Sequence, residues 1–305
     1  MTLPQPPAPQ LTTCYRHPNR EAGRRCTRCG KPACEECLVR ADIGSQCLDC
    51  AKASRPTGRE RARYWSARQP LLVTYSLMAV NIAVFVWMVV SDPNNLGMGG
   101  SITQEQADLA LSDYVVVQTP NRIELIDVTD QWYRLVSSGF LHYGLIHLAF
   151  NMFLLFQLGH LLEPSIGRVR FGLLYLAAVL GGSAGALILQ PNGLHGGASG
   201  AVFGLLGAAA VIMIQKGINP LSTGVGSIIM INLFITFSLR DQISVGGHVG
   251  GLIAGAAAGW FISAPRTRRL PDWVTYAAPL AVAVAAVAVS YFVTKSSDAA
   301  QFPGL

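Results

Sequence analysis

Hydrophobic and polar positions divide this chain into two unequal blocks. The first 70 residues are polar and basic; beyond them, long apolar runs alternate with short polar connections. A helix needs about 20 mostly apolar residues to cross a bilayer. Seven windows qualify or come close, at about 71–91, 145–162, 171–190, 199–215, 222–239, 244–263 and 273–294. The pattern predicts an all-α polytopic membrane protein with seven spans behind a small polar head.

Composition sharpens this reading. Of 305 residues, 51% are hydrophobic and only 13% are charged, and the mean hydropathy is +0.37; a soluble enzyme is excluded. Arg55, Arg59, Arg61, Arg63 and Arg68 precede the first span, which puts the N-terminus in the cytosol by the positive-inside rule. The loop at 92–144 is mostly acidic (Asp92, Glu105, Asp108, Asp113, Glu124, Asp127, Asp130) and is expected outside. Arg168, Arg170, Lys216, Arg266, Arg268 and Arg269 return to the cytosolic side, so the C-terminus lies outside. The net charge of +6 then reflects topology. No nucleic-acid partner is expected, because arginines beside a bilayer meet anionic lipid. The proline-rich N-terminus lacks an apolar h-region, so no secretory signal peptide is expected. An Ala/Gly/Val-rich chain without a transit peptide points to a bacterial inner membrane.

All seven cysteines fall within 14–50, in two-residue-spaced pairs: Cys14/His17, Cys26/Cys29, Cys34/Cys37 and Cys47/Cys50. This spacing lets two thiolates reach one tetrahedral zinc at about 2.3 Å. Four pairs supply the ligands of two closed structural Zn2+ sites. Interleaving would put Cys14, His17, Cys34 and Cys37 around one ion, and Cys26, Cys29, Cys47 and Cys50 around the other. That order resembles the cross-braced B-box-like zinc fingers; sequential pairing stays open. An odd cysteine count and a reducing cytosol argue against a disulfide framework. Closed sites leave no position for catalysis, so the head reads as a binding or regulatory module for an unknown cytosolic partner. No cofactor is expected for the catalytic chemistry.

Polar groups inside the spans are few, and such groups usually face a cavity or bundle interior. Gly197-Ala198-Ser199-Gly200 opens the fourth span, and His248 sits in the sixth among Gly247, Gly251, Gly255 and Gly259. At a helix N-terminus, free N–H groups favour negative charge developing at Ser199. The glycine stripe faces a matching row of Gly200, Gly204 and Ala208, which would let two backbones approach closely enough for a Ser–His contact. The stripe could also be a plain packing seam with an incidental histidine. The segment fails the G-x-S-x-G elbow, since Ala201 replaces the last glycine, so an α/β-hydrolase is rejected. With no acidic residue in the sixth span, a dyad is expected. Its imidazole would be held by packing, with Phe203, one turn after Ser199, available to stack on it. His195 is a rival base in a Gly-rich loop. In the second span His147 and Asn151 share a face and His142 lies near the outer end. These are either interhelical hydrogen-bond glue or donors for an oxyanion. Trp132, Tyr133 and Arg134 at the end of the outer loop could be interfacial anchors.

Taken together, Trp132/Arg134, the His142…His147…Asn151 series, the Gly197–Gly200 segment and His248 with its glycines resemble the rhomboid family of intramembrane serine proteases. The resemblance covers about 70–265. It implies a six-helix core plus one C-terminal span (6+1), with Ser199 as nucleophile and His248 as base. It implies oxyanion donors from His147, Asn151 and the Ser199 N–H, with His142, Gly197 and Phe203 in support. Transmembrane proteins would be the substrates, cut near their outer ends beside a small residue. Phe203 departs from the family, which often has tyrosine there, and the metal-binding head lies outside the family's core. The expected organisation is a disordered 1–13, a two-zinc finger at 14–50, a basic linker at 51–69, the catalytic core at 70–265 and the seventh span with its tail at 266–305. Two other readings remain: an inactive rhomboid-like protein that binds membrane clients, and a membrane-tethered zinc-finger adaptor. An ion transporter is not expected, because the spans lack carboxylates.

Overall fold

The computed structural model describes residues 12–41, 44–55, 57, 71–97, 101–119, 123–127, 131–268 and 270–301. Most of the expected disordered segment 1–13 and of the basic linker 51–69 therefore lies outside the described residues. So do Arg59, Arg61, Arg63, Arg68, Asp130 and Arg269, and the side chains of Glu124, Asp127, Arg266 and Arg268. The chain forms two compact units, Met1–Gln69 and Pro70–Leu305.

The first unit is two small antiparallel hairpins and a short helix. Strand β1 (Arg24–Arg25) pairs with β2 (Pro32–Ala33), and β3 (Leu38–Arg40) pairs with β4 (Ser45–Cys47), which runs into helix α1 (Leu48–Ala53). Cys26 and Cys29 occupy the turn between β1 and β2, with Gly30 at φ +75° completing it. Cys34 and Cys37 bracket the 3-10 turn after β2, and Cys47 and Cys50 sit at the entrance to α1. A unit this small has almost no apolar core, and its buried apolar set is mainly the cysteines themselves and Ala33.

Among the described residues, the second unit is built on seven apolar helices. These are α2 (Leu72–Ser91), α5 (Leu145–Ile166), α6 (Arg168–Leu189), α7 (Ser199–Gln215), α8 (Val225–Ser238), α9 (Val245–Arg268) and α10 (Val274–Gln301). Five are long and apolar enough to span a bilayer; α7 and α8 are apolar but shorter. At about 1.5 Å per residue the 14-residue α8 covers about 21 Å, less than a bilayer core. The helix starts fall within three residues of those of the seven apolar windows, while α9 and α10 run five and seven residues past theirs. The long loop between α2 and α5 has structure that hydropathy did not announce. It contains helix α3 (Gln104–Leu109), a hairpin of β5 (Tyr114–Gln118) and β6 (Ile123–Asp127), and helix α4 (Arg134–Ser137).

Helix α6 is the central post: 72% of its apolar window is buried, against 22% for α2 and 28% for α10. It is lined with small residues, and α9 packs against it and against α7 on two separate glycine faces. A Cβ on Gly251 or Gly255 would overlap the backbone of Gly200 or Gly204 in α7, and one on Gly259 would lie 2.7 Å from Ala208 Cα. On its other face, Gly246 and Gly250 press into the α6 backbone at Gly185 and Gly181. The first face is the stripe visible in sequence. The second was hidden, because Gly181 and Gly185 stand in an Ala/Gly-rich run with no evident partner.

One expectation is corrected here. The spans were expected to lack carboxylates, but α5 runs on to Ile166 and contains Glu163, which is 1% exposed. Its carboxylate accepts from the backbone N–H groups of Val73 (2.9 Å) and Thr74 (2.8 Å) and from the Thr74 hydroxyl (2.6 Å). The first turn of α2, which has no side-chain cap of its own, is thus capped from another helix.

Candidate active site

The site forms where α6, α7 and α9 meet. A Cβ on Gly182 of α6 would lie 3.0 Å from the Gly247 carbonyl oxygen and 3.3 Å from Gly200 Cα; a Cβ on Gly200 would lie 3.2 Å from the same oxygen. At Gly182 and Gly200 an added Cβ would crowd backbone, while at Gly247 it would meet the Ser244 side chain at 2.9 Å. Ser199 and His248 each adjoin a member of this trio, so backbone contact carries them to the same level of the bundle.

Ser199 is the first residue of α7. Gly197, two positions before it, has φ +131°, and a Cβ there would lie 2.7 Å from Cε1 and 2.9 Å from Nε2 of His147, and 3.5 Å from Ser199 Oγ. The absence of a side chain at Gly197 lets the His147 imidazole pack against the turn that precedes Ser199. The Nδ1 of His147 faces the Tyr143 N–H at 3.4 Å, which leaves Nε2 as its N–H, on the Ser199 side. Asn151, 4% exposed, donates one amide hydrogen to the His147 carbonyl at 3.0 Å and keeps a second. His142 is fully buried, with Nδ1 3.2 Å from the Phe140 carbonyl and Nε2 3.5 Å from the Ala198 N–H; it braces the turn that presents the serine.

The His248 ring stacks on Phe203, with centroids 4.1 Å apart and planes 17° apart. Phe203 lies one turn along α7 from Ser199, so the stack holds the imidazole over the serine's own helix face. Among the described residues no hydrogen bond joins Ser199 Oγ to His248; such contacts are often long without substrate and tighten on binding. The partner of His248 Nδ1 is the Thr236 hydroxyl of α8, at 2.7 Å. Sequence reasoning missed this residue. Thr236 stands in an ordinary apolar span with no motif around it, and only the docking of α8 on α9 reveals it.

His195 is pinned rather than loose. Its backbone exchanges hydrogen bonds with Leu111 (2.8 and 2.9 Å), and its Nε2–H donates to the Gln190 carbonyl at 2.7 Å. It straps the third loop to the first, and its Nε2 is committed to that strap. Arg134 is fully buried, so it is no interfacial anchor. Its Nη1 donates to the carbonyls of Ala107 (2.6 Å) and Ala110 (2.8 Å), closing the C-terminus of α3, and its Nε bonds to Gln131. Trp132 meets Tyr291 of α10, with ring centroids 6.0 Å apart. At Ser199 lies a cavity of about 40 Å³ whose lining mixes Ser138, Ser183, Ser244 and His195 with the apolar Leu111 and Val179.

In the head, the ligand atoms of Cys14, His17, Cys34 and Cys37 lie within 4.8 Å of one another, as do those of Cys26, Cys29, Cys47 and Cys50. His17 Nδ1 is 4.0, 3.4 and 3.5 Å from the sulfurs of Cys14, Cys34 and Cys37, and Cys29 and Cys47 sulfurs are 3.7 Å apart. Two thiolates at about 2.3 Å from one tetrahedral ion stand about 3.7 Å apart, so the donor geometry fits a metal ion at each group. Burial raises the Cys14 thiol, but the N–H groups of Cys34, Arg16 and His17 outweigh it and bring the pKa down to about 6. The Cys47 N–H leads in lowering Cys26 to about 6. Burial and the neighbouring Cys14 and Cys34 push Cys37 up to about 11, and Cys29 and Cys47 push Cys50 up to about 12. Crowded thiols that resist joint ionisation are what a cation would relieve.

Comparison with known proteins agrees with the fold. The Rhomboid domain model matches residues 129–265. The chain is 37% identical over 139 residues to rhomboid protease GluP of Bacillus subtilis, covering 45% of this chain and 27% of that protein. It is 36% identical over 137 residues to RHOMBOID-like protein 4 of Arabidopsis thaliana, covering 44% of this chain and 34% of the relative. With the rhomboid protein YdcA of Bacillus subtilis it shares 30% identity over 144 residues, which is 46% of this chain and 71% of that protein. The match to the first two thus spans about a quarter to a third of their length. This polytopic helical chain belongs to the rhomboid family.

Proposed function

We propose that the chain is an intramembrane serine endopeptidase that cleaves transmembrane segments with a Ser199–His248 dyad. The observation that carries this reading is the glycine junction of α6, α7 and α9, which brings a serine at a helix N-terminus and a histidine stacked on Phe203 to one level. Bundles need no ionisable pair at such a junction, and the cost of burying one argues for chemistry.

In the mechanism, Ser199 Oγ attacks the scissile carbonyl carbon and its proton passes to His248. The oxyanion forms next to the Ser199 N–H, the His147 Nε2–H and the remaining Asn151 amide hydrogen, which are preorganised donors in a site shielded from lipid. His248 then returns the proton to the leaving amine as the C–N bond breaks. Water hydrolyses the acyl-enzyme, and the hydroxyl-lined cavity beside Ser199 can supply it. A substrate helix must unwind locally, because its carbonyls are hidden while hydrogen-bonded. The topology that fits the charge distribution has the N-terminus in the cytosol and the active site near the outer face of a bacterial inner membrane. In the head, two structural Zn2+ ions would be held by Cys14, His17, Cys34 and Cys37, and by Cys26, Cys29, Cys47 and Cys50. They would fix the fold of a module that binds a cytosolic partner.

The test is labelling of the purified, detergent-solubilised protein with a fluorophosphonate probe, beside Ser199→Ala and His248→Ala. Labelling of wild type alone supports the dyad. Absence of labelling in folded wild type points instead to a client-binding protein without turnover.

A further inference from the structure

The catalytic reading leaves the imidazole with a ring on one side and, among the described residues, no carboxylate bonded to it. The Thr236 hydroxyl supplies what is missing. It is 2.7 Å from His248 Nδ1 and 2.7 Å from the carbonyl oxygen of Asn232, one turn earlier on α8. Both residues are buried, Thr236 at 1% and His248 at 8% exposure. A threonine hydroxyl has one proton and two lone pairs. The Asn232 carbonyl can only accept, so both contacts are hydrogen bonds only when the single proton points to it. The oxygen lone pair facing His248 must then accept, and Nδ1 must carry a hydrogen. A neutral imidazole protonated on Nδ1 has its free lone pair on Nε2.

We propose that Thr236 is a positioning residue that holds His248 in the Nδ1–H tautomer, with Nε2 as the base for the Ser199 proton. The proposal rests on the reading of Ser199 and His248 as the catalytic pair. During attack the Ser199 proton moves from Oγ to Nε2, the Oγ–C bond forms, and the imidazolium keeps its Nδ1–H on Thr236. When the C–N bond breaks, the same proton leaves Nε2 for the amine nitrogen, and the starting tautomer is restored. Nothing but the proton changes hands at His248, and Thr236 itself never titrates. A threonine bonding back to the carbonyl four residues earlier is common in helices and by itself means nothing. The second bond, to a histidine on another helix, gives it a role.

The location adds a consequence. Along the 14 residues of α8 only Val225 and Thr236 are buried. The group that orients the base therefore belongs to a helix with little holding it against the bundle, and the base is correctly oriented only while α8 is docked.

The experiment compares wild type, Thr236→Val and Thr236→Ser as full-length protein in detergent. Valine keeps the shape without the hydroxyl; serine keeps the hydroxyl. Thr236→Val should lower kcat by about 10- to 100-fold, a part of the 10²–10⁴ that a general base contributes, with KM nearly unchanged. Thr236→Ser should recover most of the loss. Nitrogen-15 NMR of histidine-labelled protein, with His248 assigned by His248→Ala, should show Nδ1 protonated and Nε2 bare in wild type, and a mixture or reversal in Thr236→Val. Equal kcat in folded Thr236→Val, or an Nε2–H tautomer in wild type, overturns the proposal. The wild-type spectrum decides it even if Thr236→Val does not fold. Loss of probe labelling in wild type itself would instead sink the protease reading, whatever the tautomer.

Discussion

The ring of Phe203 lies over that of His248, with centroids 4.1 Å apart and planes 17° apart. The relationship joins the helix that carries Ser199 to the helix that carries His248. It needs no hydroxyl on the aromatic ring. Phe203→Tyr should therefore keep activity, while Phe203→Ala should lower kcat more than it raises KM. The alanine variant also leaves a cavity worth about 3–5 kcal/mol at a buried aromatic, so its unfolding temperature should fall. Unchanged turnover in folded Phe203→Ala would remove the stack from the mechanism.

Helix approach sets a second expectation. At Gly255 a methyl group would run into the Gly204 backbone, which cannot yield as a side chain tip can. Gly255→Ala should part α7 from α9, lowering both thermal stability and probe labelling. Gly172, in α6, is the control: its nearest neighbour to an added Cβ is a Val73 methyl at 3.8 Å. Gly172→Ala should be neutral or stabilising by about 0.5–1 kcal/mol, because glycine weakens a helix interior. Equal behaviour of the two variants in thermal unfolding would show that the close contact does not matter.

Glu163 offers a third test. Glu163→Ala would leave two backbone N–H groups and the Thr74 hydroxyl without their acceptor, at about 1–3 kcal/mol for each buried unsatisfied group. The unfolding temperature should fall clearly. Glu163→Gln retains one acceptor oxygen and should lie between. The carboxylate is at the end of α5 remote from Ser199, so turnover per folded molecule should stay near wild type in both; a specific loss of kcat would assign Glu163 another role.

Metal content gives the fourth. Purified protein should hold two zinc equivalents, and Cys34→Ser should lose about one. Labelling of Ser199 should survive that change, because the head's ligands take no part in acyl transfer. Loss of labelling on Cys34→Ser in a folded core would make the head part of the catalytic device. Full zinc retention would contradict the ligand set.

The seven helices could be read from sequence, since a bilayer demands long uninterrupted apolar runs and little else produces them. The two Cys/His groups were legible for a similar reason: two-residue spacing is a local property, fixed by the reach of neighbouring side chains. Ser199 and His248 were visible as polar groups in apolar surroundings, and the stripe at Gly251, Gly255 and Gly259 announced a close helix contact. The tertiary structure decided what depended on partners remote in the chain. Arg134 has the composition of an interfacial anchor, and only the folded loop shows it closing α3 through two carbonyls. Gly181 and Gly185 look like filler until α9 lies against them. Thr236 is one hydroxyl in an apolar helix, with no periodicity or spacing to mark it. A hydrogen bond between helices leaves no trace in local pattern, because it depends on how the helices are rotated and how far each is advanced along its neighbour. Local chemistry therefore told which groups could react, and packing decided which atoms of those groups face one another.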